Sequence, residues 1–440
     1  MSESSANAVV NPSECTMLLF PELPSPDFIS LLFDWNMFFY GAWLALGAAG
    51  LASVFAHERQ ENVELDFIKR QVAELESLST RTLEQNDTLA TLYANWAIAL
   101  YDDEDSEFED IVEMYGKAEA ILKATLAQGD DSEARKNLAA VYLDWGNVNN
   151  TFGEIETAAD TYQKAVEVLK PLDDAGDGEA KYDIAGTKLN LGVAYRELGY
   201  LEKAKTCLDE SFTAYRALEK ITDDDTRFYM ATVSVQQGNL FHEMGEPVKT
   251  VVDAYNRAMR LFVEVIEDQG QMELEKDLAN VLLDRSMVTY EDWIDRKFES
   301  QEERETIIDN VLLDISRGIE LLEKQFNEGN DAARYDMFHA IVLKGKVLCD
   351  AEDFPAAKEY LDRAIEEFAD LCENDDMFLM QTAMAYATRA VVQMALGNKE
   401  LSEQDCLKGS ELINQLLQSN SNDEEIQELR KQFEELLGQL

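Results

Sequence analysis

Residues 142–171 read YLDWGNVNNTFGEIETAADTYQKAVEVLKP. In its second half Ala158, Tyr162 and Ala165 fall four and three residues apart, so they share one face of a helix. Gly146 lies inside the preceding helical stretch, where glycine costs about 1 kcal/mol relative to alanine. Gly153 lies between the two stretches, where a left-handed backbone calls for glycine. Pro171 is expected to end the second helix. The same pair of glycines returns every 46 residues: Gly146, Gly192 and Gly238, each followed seven residues later by Gly153, Gly199 and Gly245. A residue that weakens its own helix three times in the same register implies close approach of a neighbouring helix. A fixed period implies stacked helical hairpins, none of which can bury its apolar side alone.

These residues resemble the tetratricopeptide repeat (TPR) family, whose pattern runs from Leu/Trp-Gly through an aromatic, a turn glycine, a small residue and an aromatic to Ala and Pro. Trp145, Gly146, Gly153, Ala158, Tyr162, Ala165 and Pro171 fill it almost in order, with Asn149 in place of the first aromatic. The next unit offers Leu191, Gly192, Tyr195, Gly199, Ala204 and Leu208, with Ser211 for the alanine. A third offers Gly238, Phe241, Gly245, Tyr255 and Ala258. Later units carry Gly345, Ala357, Leu361 and Ala364, then Gly397 at a turn. Two units are degenerate, around Leu89–Leu126 and Leu278–Phe326. In the second of these, RKFESQEERET (296–306) stands where a turn glycine would be. The 46-residue period is longer than the usual repeat of the family.

The resemblance implies that the first helix of each pair lines a concave face. It makes Asn147, Asn150, Arg196, Asn239, His242 and Lys346 the candidate partner-binding residues, with Cys349 beside them. Asparagine suits an extended peptide because its amide both donates and accepts. A clamp for a terminal carboxylate is disfavoured, since Leu143 and Val235 occupy positions where basic or polar residues would be needed.

The chain has 440 residues, 88 acids against 38 Lys and Arg, and a formal charge of −50. That charge disfavours nucleic acid, which demands cations facing phosphates, and steers basic proteins or tails toward the surface. It is equally compatible with simple solvation or a salty environment. YDDEDSEFED (101–110) starts like a calcium loop but lacks the turn glycine and the terminal glutamate spacing. There is no phosphate loop, nucleophile elbow or metal-spaced His/Cys set, and the three histidines are far apart. No enzymatic activity and no cofactor are expected. The five cysteines form no CxxC pair; Cys207, Cys349, Cys372 and Cys406 lie at apolar helical positions and read as buried free thiols, while Cys15 stands isolated in a context without a lipid-attachment pattern.

Residues 35–56, WNMFFYGAWLALGAAGLASVFA, carry no charge over 22 residues, enough to span a bilayer as a helix. Trp35, Tyr40 and Trp43 would sit in an aromatic belt. Gly41, Ala45, Ala49 and Ser53, at four-residue steps, form a small-residue face suited to packing on a membrane helix of a partner or of a second copy. No Lys or Arg precedes Arg59, whereas Arg59, Lys69 and Arg70 follow closely, which puts the repeats in the cytoplasm. A cleaved leader ending at Ala56, with an exported or periplasmic protein, and a buried non-membrane helix are the alternatives.

The expected architecture is all-α: a TPR-like α-solenoid with an N-terminal transmembrane helix. Its parts would be a tail (1–25), a transmembrane helix (26–57), a linker helix or short coiled coil (58–87), the repeats (88–416) and a capping helix (417–440). The expected function is that of a membrane-anchored scaffold for protein–protein interaction and complex assembly. The alternative is a permanent structural subunit of a membrane complex.

Overall fold

A computed structural model describes residues 54–439, apart from 104–105, 130, 219–224, 299, 331, 369–375 and 420–423. The described residues form sixteen α-helices, one short 3-10 turn (Met272–Leu274) and no strand. The chain divides after Leu240, inside a helix, into two compact units. The first contains α1 (Val54–Glu76), α2 (Leu83–Tyr101), α3 (Phe108–Leu126), α4 (Ser132–Thr151), α5 (Ile155–Asp174), α6 (Gly178–Glu197), α7 (Leu201–Leu218) and most of α8 (Asp225–Glu243). The second holds the end of α8, then α9 (Val248–Gln269), α10 (Glu275–Asp295), α11 (Gln301–Asn327), α12 (Ala332–Asp350), α13 (Phe354–Glu367), α14 (Asp376–Ala395), α15 (Lys399–Ser419) and α16 (Glu424–Gln439).

Short polar side chains start the helices. Thr82 and Gln85 form a reciprocal capping box at α2. Asp131 and Asp177 accept from the first free amides of α4 and α6, and Ser300 and Asp353 do so at α11 and α13. Turns between paired helices close in one way. Gly153, Gly199 and Gly245 have φ of 79°, 74° and 68°. The next amide in each turn, of Glu154, Tyr200 and Glu246, donates to the carbonyl five residues back at 2.8, 2.8 and 2.9 Å. The same closure recurs after Gly345, where the seventh residue is Glu352: its φ is 66°, and Asp353 donates to the Leu348 carbonyl at 2.9 Å.

Packing within a hairpin depends on the helical glycines. A Cβ added to Gly146 would lie 2.5 Å from Cε1 of Tyr162, and one added to Gly192 would lie 2.9 Å from Cδ2 of Leu208. At Gly345 the clash would be with Leu361, at 2.7 Å. In each case the obstructing side chain is sixteen residues on, so one contact sets the spacing of helices in three hairpins. Ser211, which replaces the family's alanine, donates its hydroxyl to the Ala185 carbonyl at 2.7 Å and ties α7 to α6. In the first unit α1 adds Ile68 and Val72 to a core shared with Leu89, Tyr93, Ala97, Tyr115 and Tyr142. In the second, α16 lays Ile426, Leu429 and Phe433 against Ala383, Ala390, Cys406 and Ile413 of α14 and α15. Arginines cross-link helices of this unit: Arg389 pairs with Asp405 at 2.6 Å and Asp362 at 2.8 Å, and Arg285 with Asp314 at 2.6 Å.

Pro171 does not end its helix. α5 continues to Asp174 and stops before Gly176, which has φ of 89°. A proline forfeits only its own amide bond, so near a helix end it is carried through, and the left-handed glycine makes the stop. No helix among the described residues is long and apolar enough to cross a membrane. The expected transmembrane segment lies almost wholly outside the described residues, as do Gly41, Ala45, Ala49 and Ser53.

Gly192→Leu is expected to destabilise the fold by about 1–3 kcal/mol through overpacking, whereas Gly129→Leu, with nothing within 4 Å of an added Cβ, leaves the urea midpoint nearly unchanged. At Glu352 the expectation is the reverse. Glu352→Gly relieves a left-handed non-glycine residue and should raise stability by about 0.5–1 kcal/mol, read from the same unfolding curves.

Candidate functional site

In the first unit the first helices of the central hairpins, α4, α6 and α8, carry a concentration of buried polar side chains. Asn147, Asn149 and Asn150 on α4, Asn190 and Arg196 on α6, and Gln236, Gln237 and Asn239 on α8 are all less than a tenth exposed. Polar groups taken from water need partners, and part of the set has them. Asn147 Oδ1 accepts from the Tyr162 hydroxyl at 2.8 Å and from Asn190 Nδ2 at 3.1 Å, joining three helices of two hairpins. Gln237 Nε2 donates to Asp209 at 2.6 Å. Among the amide atoms buried without a hydrogen-bond partner are Asn149 Nδ2, Asn150 Oδ1 and Asn190 Oδ1. Each such orphan costs about 1–3 kcal/mol, so a donor or acceptor arriving from outside would find these atoms already desolvated.

The expected partner-binding residues divide between the units. Asn147, Asn150, Arg196 and Asn239 belong to the first and fall in two registers of the 46-residue period, one and four residues after the packing glycine. Asn147 is part of the internal network, while Asn150 keeps an unpartnered oxygen. His242 and Lys346 lie in the second unit. His242 is exposed, with Nε2 3.3 Å from Glu291. Lys346 lies 3.3 Å from Asp350 and over the ring of Tyr290 at 5.8 Å.

A further register escaped the sequence reading. Two residues before each packing glycine stand Asp144, Asn190 and Gln236, again 46 apart. The period itself was the available signal. Asp144 is half-buried beside the stacked rings of Tyr115 and Trp145, whose centroids are 6.2 Å apart. Burial pushes its carboxyl up to about 7, and no hydrogen bond or ion pair among the described residues reaches it. Asp183, two turns before Asn190 on α6, is pushed up to about 7 as well, by burial and by Glu179 and Asp177 against the opposing pull of Lys136. No group of His, Cys, Asp and Glu among the described residues is spaced to hold a metal ion. Cys207, Cys349 and Cys406 are free, and burial raises each thiol to about 11.

The tetratricopeptide repeat family matches residues 185–217, which comprise the body of α6 and nearly all of α7. No curated protein sequence matches the chain. Among solved structures, BtubC (BKLC) from P. vanneervenii is 16% identical, with a TM-score of 0.46 over 61% of this chain and 92% of its own. The apo form of RapI is 13% identical, with a TM-score of 0.46 over 75% of this chain and 99% of its own. The apo form of the quorum sensor NprR from B. thuringiensis is 16% identical, with a TM-score of 0.46 over 82% of this chain and 84% of its own. The assignment rests on the repeat itself rather than on these distant likenesses. The hairpin at 185–217, which the tetratricopeptide repeat family's model matches, shares its packing glycine and its left-handed turn with the one at 142–171, so the chain carries helical hairpins of the tetratricopeptide repeat type.

Proposed function

We propose that this protein is a membrane-anchored scaffold that holds an extended segment of another protein along the first helices of its first unit. The observation that carries the reading is the buried amide set on α4 and α6, with Asn149 Nδ2, Asn150 Oδ1 and Asn190 Oδ1 unpartnered. An extended backbone presents alternating N–H and C=O groups, which is what such a mixed set of donors and acceptors can satisfy. Asn147, Arg196 and Asn239 lie on the first helices of the same unit. The formal charge of −50 favours approach of basic partners over nucleic acid. The uncharged stretch at 35–56 would supply the anchor, with the repeats on the cytoplasmic side. The reading has the chain act by binding, with neither catalysis nor cofactor.

Gentle purification from native membranes tests the scaffold role. A client that dissociates and appears in less than fixed stoichiometry supports it, whereas a constant, inseparable companion makes the chain a permanent subunit of a membrane complex. Ala48→Arg should release the protein from membranes, since a central charge costs about 2.5–3.5 kcal/mol on insertion; an unmodified protein already in the soluble fraction refutes the anchor.

The amide set has its own test. Asn150→Ala removes an orphaned acceptor, so the melting temperature should hold or rise while affinity for the co-purified partner falls about 2–10-fold, the worth of one hydrogen bond. Unchanged affinity would move the binding surface off these helices.

A further inference from the structure

We infer that the turn edge of the α2–α3 and α4–α5 hairpins is a separate docking surface, which takes an arginine-bearing segment of a basic partner protein on the ring of Phe152. Three aromatic side chains meet there from two successive turns. The centroid of the Phe152 ring lies 4.8 Å from that of Phe108 at the start of α3. It lies 6.3 Å from that of Tyr101 at the end of α2, the two rings edge to face. Two neighbours hold the ring, and Phe152 is still 46% exposed. The ring contacts bring carboxylates to the same place. Glu107 and Glu109 flank Phe108 in the chain, and Glu154 follows Phe152 by two residues. All three are exposed, and none enters an ion pair among the described residues. Glu107 and Glu154 stand at the N-cap positions of α3 and α5, where neither side chain caps its helix. No Lys or Arg occurs in 82–116 or 137–163, the two stretches that build this edge.

Charge selects the occupant. Acids at a helix start are ordinary, because the helix dipole favours them; a cluster of rings reaching water among them is not. A second copy of the chain would bring a formal charge of −50 to this edge and be repelled. An anionic membrane surface is repelled likewise. An uncharged apolar segment would take the carboxylates out of water with nothing to pair them. A guanidinium satisfies both parts, since its plane stacks on an aromatic face while its N–H groups donate to carboxylates. The next hairpin shows related chemistry completed within the chain. At the α6–α7 turn the Lys203 amine lies 4.9 Å from the ring centroid of Tyr195 and 4.8 Å from that of Tyr200. One period earlier Thr157 stands in the place of Lys203. Lys117 of α3 lies over Tyr93, and Lys123 and Lys164 lie over Tyr142, so these lysines are engaged elsewhere. Among the described residues no cation covers Phe152 or Phe108. The surface does not depend on the buried amide set of the first helices.

The test uses the full-length protein in detergent and a labelled peptide of alternating Gly and Arg, with affinity read by fluorescence anisotropy in roughly 0.5 M salt. There the general field of the acidic surface is screened within about 4–5 Å, so direct contacts decide. The peptide is expected to bind the wild type and Phe152→Tyr alike, since both keep the ring. Phe152→Leu keeps bulk without the ring and should bind about 3–10-fold more weakly, the range of one cation–π contact. Glu107→Gln combined with Glu154→Gln should weaken binding as well. Glu264→Gln combined with Glu359→Gln removes the same charge from exposed sites in the second unit and should leave it unchanged. Melting temperatures check folding; if Phe152→Leu loses packing on Phe108, the two glutamate pairs, all exposed, still decide the matter. Equal affinity of wild type and Phe152→Leu when both are folded, or equal loss with both glutamate pairs, leaves only the general field and overturns the inference. Equal binding of a peptide with Leu in place of Arg overturns it too, as does a Phe152-dependent dimer in sedimentation, which would give the edge to a second copy. So does an Arg peptide that fails to bind at all.

Discussion

The spacing between paired helices is set by the absence of a side chain. At Gly146, Gly192 and Gly345 the first helix is bare where a tyrosine or leucine sixteen residues later crosses it, and an added Cβ would fall at 2.5–2.9 Å. That approach brings the backbones close enough for Ser211 to reach the Ala185 carbonyl and for Tyr162 to reach Asn147. It also holds neighbouring first helices at a distance that lets Asn190 bond to Asn147 across hairpins. Glycine lowers the stability of an isolated helix, so the hairpin is favourable only as a tertiary unit. Stability belongs to the stack more than to its pieces.

How much of this was legible depended on whether a residue acts locally. The turns at Gly153, Gly199 and Gly245 could be read because only glycine takes a left-handed backbone freely. Glu352 performs the same task without the tell-tale residue, and its place is visible only by counting seven from Gly345. Pro171 misled for a related reason: its ring forbids one hydrogen bond, and whether that ends a helix depends on what lies just beyond, here Gly176. The polar residues were harder still. Asn147 and Asn239 were recognisable as members of a repeated register, but a sequence does not distinguish an amide turned to solvent from one bonded to Tyr162. The register of Asp144, Asn190 and Gln236 went unread because its three members share polarity and not identity.

The two units use polar groups differently. In the first, amides are gathered on α4, α6 and α8, and Asn149 Nδ2, Asn150 Oδ1 and Asn190 Oδ1 are among the atoms left without a hydrogen bond. In the second, charges meet charges: Arg389 between Asp362 and Asp405, Arg285 with Asp314, and Lys324 with Glu275 at 2.7 Å. Partly buried arginine clamps of this kind fix the relation of successive helices, although their net contribution is small once desolvation is counted.

These clamps have a consequence for how molecules crowd together. With 38 basic residues against 88 acids, and many of the basic ones engaged with acids of the same chain, each copy presents its neighbours with a field of one sign. Copies confined to one surface would keep apart by mutual repulsion over roughly a Debye length, about 8 Å in physiological salt. Lateral clustering would then await a polycation able to lie between two such surfaces, so that the same charge that prevents spontaneous crowding would make clustering responsive to whatever basic molecule arrives.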